Sequence, residues 1–187
     1  MSSATVTAAT PSLSQWEIDP SHSSVQFAVR HMMVSNVRGE FAKVSGTVEI
    51  DSGDISRSSV HVVIDASSIS TRNEQRDEHL RSPDFLDVAN FPTIDFQSTR
   101  VTRDADGALK VVGNLTIRGV TKEVALDVED GEIELRDPWG NTKRGASATT
   151  KLNRKHYGLQ WNVALETGGF VVGDELKIEI DVELLKK

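Results

Sequence analysis

Apolar and polar residues alternate with a period of two along most of this chain. Near the C-terminus, charged residues are interleaved with Leu176, Ile178, Ile180, Val182 and Leu184. Because successive side chains of a strand point to opposite faces, this run predicts an antiparallel strand with one buried and one solvated face. The same alternation assigns further inward-facing sets: Val25, Phe27 and Val29; Val60, Val62 and Ile64; Ile94 and Phe96; Leu109, Val111, Leu115 and Ile117; and Val120, Val124, Leu126 and Val128.

One of these runs changes its parity. Its apolar residues fall on odd numbers up to Phe41 and on even numbers from Val44 onwards. A strand cannot move its apolar side chains to the other face without an extra residue. The sequence therefore predicts a β-bulge or a bend near Ala42 and Lys43.

Turn-forming residues separate the runs, and they fall at 51–54, 104–107, 118–119, 129–131 and 137–140. This spacing predicts about eight antiparallel strands. Strands with one apolar face must hide that face, and closure into a barrel hides it while removing the sheet edges. A barrel of this size is either packed solid by its own side chains or holds one small ligand. The inward residues are mostly Val, Ile and Leu, so an elongated apolar slot for a long, thin guest and a solid core both remain open.

One segment reads as helix within this all-β pattern. Thr71 and Glu74 fit a capping box, with Thr71 as the N-cap residue, and they predict a helix over about 72–82. Ser82 and Pro83 then end the helix. A lone helix inserted between strands suggests a plug, cap or gate for the interior of the barrel.

Composition narrows the classes of function. The chain has 187 residues, a formal net charge of -7 and no cysteine. The acidic balance argues against nucleic-acid binding, and the absence of cysteine excludes disulfides and thiolate chemistry. There is no apolar stretch long enough for stable membrane insertion.

The N-terminal residues 1–14 are small and polar, and they lack the basic and apolar regions of a signal peptide. We therefore expect a disordered tail over 1–14 and one barrel domain over 15–187. We also expect a cytoplasmic location, with a processed periplasmic form as the alternative.

Several motifs follow one another in a distinctive order. They are Trp16-Glu-Ile-Asp-Pro20, Phe27-Ala-Val-Arg-His31, Val37-Arg-Gly-Glu-Phe41, Arg76-Asp-Glu-His-Leu-Arg-Ser-Pro-Asp-Phe-Leu-Asp87, Gly113-Asn-Leu-Thr-Ile-Arg-Gly-Val-Thr-Lys122 and Asp137-Pro-Trp-Gly140. In this order the sequence resembles the YceI-like polyisoprenoid-binding family from Trp16 to about Lys186. The helix motif and the Leu115–Lys122 stretch are the specific parts of the resemblance.

The resemblance implies an elongated, eight-stranded, lipocalin-like antiparallel barrel with one inserted helix. It also implies a long hydrophobic channel for a polyisoprenoid or similar amphiphilic lipid, and a homodimer. We accordingly expect a carrier, storage or sequestering protein that is not an enzyme, with a bound lipid and no cofactor. Two alternatives stay open: a small barrel enzyme of the isomerase or cyclase type acting on an apolar substrate, and a stress-response scaffold without ligand.

The residues predicted to bind the ligand are inward strand positions and side chains near the helix and a later basic and aromatic run. They are Phe27, Val29, His31, Val37, Phe41, Val62, Ile64, Arg76, His79, Phe85, Leu86, Phe91, Phe96, Tyr157 and Trp161. His31 either meets a ligand head group or is a buried imidazole bonded to backbone. Arg76 either binds an anionic head group through its guanidinium fork or fixes the helix to the barrel, which is the role expected of Asp77.

Two further groups allow two interpretations each. Phe85, Leu86 and Phe91 form either the apolar wall of the channel or the anchors of the helix. The run 154–161 forms either the channel mouth, with Lys155 facing an anionic head group, or a solvated basic edge. The five histidines are scattered without metal-ligand spacing, so no metal site is predicted.

Overall fold

The computed structural model describes residues 13–131, 133–166 and 168–187, and these fold as strands with one α-helix. The 3-10 helices are η1 (Ile55–Arg57), η2 (Ala66–Ser68) and η3 (Arg154–Tyr157), and α1 spans Glu74–Arg81. The strands are β1 (Leu13–Ile18), β2 (Ser24–His31), β3 (Ser35–Phe41), β4 (Val44–Asp51), β5 (Ser59–Asp65), β6 (Ile69–Ser70), β7 (Thr93–Arg103), β8 (Leu109–Ile117), β9 (Val120–Asp130), β10 (Leu135–Arg136), β11 (Thr142–Asn153) and β12 (Val172–Lys186).

The strands close into an eight-stranded antiparallel barrel, as the sequence predicted. The ring runs β11-β9-β8-β7-β5-β4-β1-β12, and β12 pairs again with β11. β1 and β2 both pair with the same edge of β12, so they are two halves of one interrupted strand. β3 and β4 form a second interrupted strand, since β3 pairs with β2 and β4 pairs with β1.

The predicted break at Ala42 and Lys43 is confirmed, because β3 ends at Phe41 and β4 begins at Val44. The backbone groups released by the break find other partners. Ala42 N donates to Ser68 O at 3.2 Å, and Lys43 N donates to Ser68 Oγ at 3.1 Å. The break therefore changes the parity of the inward side chains without leaving these backbone donors unpaired.

The barrel begins two residues earlier than the sequence suggested. Leu13 pairs with Asp51 and Ser14 with Ile50, so both residues belong to β1 rather than to the predicted tail. Residues 1–12 of that tail lie outside the described residues. At this start of the barrel Trp16 is almost completely buried, and it packs with Ile18 and Leu184.

The helix is shorter than predicted and has a different N-cap. Asn73 caps α1, since its side chain accepts a hydrogen bond from Arg76 N at 3.0 Å. The prediction of Thr71 as the cap is wrong because the hydroxyl of Thr71 binds Asp77 instead. The predicted end at Ser82 is confirmed, and Ser82 N donates to His79 O at 3.1 Å. Within the described ranges, no helix is long and apolar enough to cross a membrane.

A close approach between two strands constrains Gly46 in β4. A Cβ at this position would lie 2.2 Å from the carbonyl oxygen of His61 and 3.0 Å from Cα of Val62, both in β5. Backbone atoms of a paired strand cannot retreat as a flexible side chain can, so an added methyl group must distort the ladder.

We expect Gly46→Ala to lower the free energy of unfolding by about 1–3 kcal/mol, the usual cost of overpacking. Denaturant titration measures the change. Gly145→Ala is the matched control, because Gly145 also lies in a strand and its Cβ would come no closer than 3.9 Å to the nearest atom, Val182 O. Equal stabilities of the two variants would contradict the steric argument.

Candidate functional site

An apolar cavity of about 220 Å³ lies inside the barrel. Its walls come from every long strand of the ring, and it extends from Phe41 and Ile117 to Ile55 and Asp130. One buried water needs only about 10–15 Å³ of such space, so the cavity is far larger than a packing defect. The interior is therefore not a solid core.

Small side chains on β11 explain much of this space. Ala146, Ala148 and Thr150 line the cavity where the neighbouring strands contribute Val, Ile and Leu. These positions are absent from the inward-facing sets that the sequence predicted, although they recur at every second residue up to the buried Leu152. The signal was weak because alanine and threonine contribute little hydrophobic contrast to a period-two pattern.

The lining carries few polar groups. The exceptions are Ser58, Asp130, Ser147 and Thr150. Asp130 is the one carboxylate among the described lining residues, and Arg144 clamps it with Nε–Oδ1 and Nη2–Oδ2 distances of 3.0 and 2.5 Å. Arg144 therefore engages both oxygens of this carboxylate. The lining thus offers no assembled acid–base pair.

Side chains that follow α1 close one end of the barrel, which we call the capped end. Phe85 and Leu86 are buried there in one cluster with Ile64 and Ile94 of the cavity wall. The rings of Phe85 and Trp161 lie 5.3 Å apart. His79 meets both rings edge-on, at 5.1 Å from Phe85 and 4.7 Å from Trp161. This aromatic group covers the cavity at the capped end.

A buried carboxylate ties α1 to the strand before it. Asp77 is only 4% exposed, and its Oδ1 accepts hydrogen bonds from the backbone N and the hydroxyl of Thr71, at 2.9 and 2.5 Å. Arg76 completes the arrangement, because its Nε and Nη2 donate to Thr71 Oγ1 and O at 2.7 and 2.9 Å. These bonds give Asp77 and Arg76 a structural role at the helix.

A buried guanidinium fixes the loop on the other side of the capped end. Arg154 is 3% exposed, and it donates to the carbonyl oxygens of Leu159, Trp161 and Gly173 at 2.6, 2.9 and 2.8 Å. Burial lowers the pKa of Arg154 from its ordinary value, and the nearby Asp174 opposes that shift. The run 154–161 is therefore a 3-10 helix and turn anchored by its first residue, not a solvated basic edge.

The structure brings most of the predicted ligand-binding residues to the barrel interior. Those that line the cavity are Phe41, Val62, Ile64 and Phe96. Those that pack in the cluster at the capped end are Phe27, Phe85, Leu86, Tyr157 and Trp161.

Six predicted residues neither line the cavity nor belong to that cluster, although one of them, His79, contacts Phe85 and Trp161 at the capped end. Val29, His31 and Val37 are half-buried on the β2–β3 hairpin, and they belong neither to the cavity wall nor to the cluster. Arg76 is bound to Thr71, and His79 lies 2.8 Å from Asp84. The ring of Phe91 lies against Gly119, in the tight β8–β9 turn. Ligand contact by any of the fifteen residues stays a prediction.

A separate charged cluster lies at the opposite end of the molecule. Asp19, His22 and Glu183 are close enough together to share a metal ion. However, Lys143 Nζ stands among them, at 2.5 Å from Glu183 and 3.6 Å from Asp19. The hydrogen bond from His22 lowers the pKa of Asp19, and the bond to Glu183 raises the pKa of Lys143. The ammonium group already supplies the positive charge that a metal would bring.

Comparison with known proteins finds matches that extend over most of the chain. The YceI-like domain matches residues 16–184. A UPF0312 protein of Staphylococcus aureus (strain N315) is 39% identical over 171 residues, which cover 91% of this chain and 97% of that protein. The crystal structure of a YceI protein of Campylobacter jejuni has a TM-score of 0.70 at 29% identity and covers 84% of this chain and 89% of its own. A polyisoprenoid-binding domain of Saccharophagus degradans has a TM-score of 0.66 at 14% identity, over 92% of this chain and 98% of that domain.

We expect Asp77→Ala to lower the free energy of unfolding by about 1–3 kcal/mol, because it leaves the buried donors of Thr71 without their acceptor. Thermal or denaturant unfolding measures the loss. Glu78→Ala is the matched control on the same helix, since Glu78 is exposed. If the two substitutions have the same effect, the carboxylate of Asp77 does not hold the helix.

Proposed function

The chain belongs to the YceI-like family, and on this premise we propose that it binds a polyisoprenoid or another long-chain amphiphilic lipid inside the barrel. The observation that carries the proposal is the cavity, which is enclosed by aliphatic and aromatic side chains and is nearly free of polar groups. Such a lining favours the hydrocarbon part of a guest and penalises a polar substrate, which would lose its hydrogen bonds to water. The protein then acts as a carrier, a store or a sequestering protein for that lipid.

The binding energy follows from the same lining. Burial of apolar surface contributes about 25 cal/mol per Å², and the loss of translational and rotational freedom on binding offsets part of this. A chain of many carbons buries much more area than a head group does. Affinity should therefore depend mainly on the length of the hydrocarbon chain, with the head group contributing selectivity.

The shared architecture supports this proposal as well. The Saccharophagus degradans domain is a polyisoprenoid-binding domain, and the present chain has the same fold. At 14% identity that likeness concerns the fold alone, so the lining residues of this chain have to supply the argument for a ligand.

The alternatives receive less support from the same residues. A barrel enzyme needs a proton donor or acceptor at its substrate, whereas the one carboxylate in the described lining is clamped by Arg144. An apolar cavity lowers the stability of a barrel because the side chains that line it lose packing contacts. A scaffold without ligand would gain nothing in return for this loss of stability. The homodimer and the cytoplasmic location remain predictions from the sequence.

The direct test is organic extraction of the purified, unheated protein followed by mass spectrometry, with a native mass spectrum of the same sample. We expect a long-chain lipid in stoichiometric amount. An unliganded mass for a protein that also takes up no added polyprenol would overturn the proposal and favour a scaffold. Turnover of an added lipid would instead favour the enzyme.

We expect Val124→Phe to weaken binding of a long-chain isoprenoid such as all-trans-retinol by about tenfold, which corresponds to 1.4 kcal/mol. Val124 lines the cavity, and the added ring fills space that the ligand would use. The rise of retinol fluorescence on binding gives the affinity. Ala125→Phe is the matched control, because Ala125 is exposed and its side chain faces the other side of β9. Equal affinities of the two variants would place the ligand outside the cavity.

A further inference from the structure

Tyr157 is the last residue of η3, and its ring lies inside the barrel at the capped end. Its relative exposure is 2%, and it belongs to one buried cluster with Val25, Ile64 and Ile94. All three of these neighbours also line the cavity. Gly158 follows in a left-handed conformation, with φ of 77°, which turns the chain back over the barrel end. Tyr157 is not itself among the residues that line the cavity, but its ring packs in the cluster that closes the capped end beside them.

The hydroxyl of Tyr157 has no hydrogen-bond partner. It is the one buried side-chain polar atom in this condition among the residues that the structure describes. Buried polar atoms are nearly always paired, because an unpaired hydroxyl forfeits its hydrogen bonds to water. A phenylalanine would fill the same ring volume without this penalty, so the oxygen requires an explanation other than packing.

The polar groups around Tyr157 are already engaged with one another. Arg154 binds the carbonyl oxygens of Leu159 and Trp161, which belong to the same loop. Lys155 forms an ion pair with Asp174 at 2.8 Å. None of these bonds offers the hydroxyl a partner.

Two properties of the hydroxyl define what it can bind. Burial raises the pKa of Tyr157 to about 12, so the group is protonated at neutral pH and can donate a hydrogen bond. Its surroundings are apolar, which penalises an ionised partner strongly. The fitting partner is a neutral acceptor oxygen. A carbonyl oxygen fits better than an alcohol, because an alcohol brings a donor of its own that would need a second acceptor.

We propose that the hydroxyl of Tyr157 donates a hydrogen bond to a neutral carbonyl oxygen of the lipid, so that the cavity selects long-chain ketones or esters. The proposal rests on the proposed lipid-binding function and specifies its ligand class. From the sequence, Arg76 is one candidate partner for the ligand head group, but Arg76 is bound to Thr71. The proposal assigns the polar contact of the ligand to Tyr157 instead.

The test compares two ligands in two proteins. The ligands are farnesylacetone, an isoprenoid ketone, and the hydrocarbon in which a methylene group replaces its carbonyl. The proteins are the wild type and Tyr157→Phe, which removes the oxygen and keeps the ring. We expect the substitution to weaken binding of the ketone by about tenfold and to leave binding of the hydrocarbon unchanged. The ligand-free variant should be at least as stable as the wild type.

The outcomes distinguish a failure of the carbonyl contact from a failure of the proposed lipid-binding function. If both ligands bind and Tyr157→Phe changes neither affinity, or changes both equally, the carbonyl contact is wrong while lipid binding stands. If neither ligand binds the wild type, the lipid-binding function itself fails.

A second measurement does not depend on the variant. Infrared spectroscopy of farnesylacetone labelled with ¹³C at its carbonyl should show the carbonyl band at lower wavenumber in the wild-type complex than in an alkane. A band at the alkane position would overturn the hydrogen bond.

Discussion

The two-sided pairing of β12 is the constraint on which the rest of the structure depends. One edge of β12 pairs with β11 from Glu175 to Leu185, and the other edge pairs with β2 and then β1. Closure leaves the ring without free edges, so every strand must direct alternate side chains to one shared interior. The apolar cavity exists because that interior is sealed along its whole circumference.

The backbone hydrogen-bonding groups of the strands and of the capped end are satisfied in different ways. The strands need only apolar inward residues, since their backbone groups are satisfied by the ladders. The capped end has no ladder, and its irregular backbone must be held by side chains. Asp77 and Arg154 do this as buried charges: Asp77 accepts hydrogen bonds from Thr71, and Arg154 donates mainly to backbone carbonyls of the loop and of the start of β12. Polar contacts therefore position the cap, and apolar contacts shape the space beneath it.

This division also bears on function. Asp77 and Arg154 are the buried charges at the cap, and at the opposite end Lys143 meets Asp19 and Glu183. The cavity between them is lined by apolar side chains with four polar exceptions, and the unpaired hydroxyl of Tyr157 lies in the buried cluster at the capped end. An interior of this kind is suited to retaining a lipid and poorly suited to proton transfer. Family membership and the chemistry of the cavity both support the proposed lipid binding.

The sequence by itself determined the local features: strand alternation, the break near Ala42, one helix ending at Ser82, and the barrel class. The alternation, the break and the helix end follow from the near neighbours of each residue, because a period of two and a helix stop are short-range properties. The barrel class follows from the need of several such strands to hide their apolar faces. It did not determine the partner of Thr71, whose hydroxyl binds a buried carboxylate rather than the helix start. Nor did it show the space beside Ala146 and Ala148 or the unpaired oxygen of Tyr157. Only the tertiary structure decided these, because they depend on which distant strands and loops enclose each side chain.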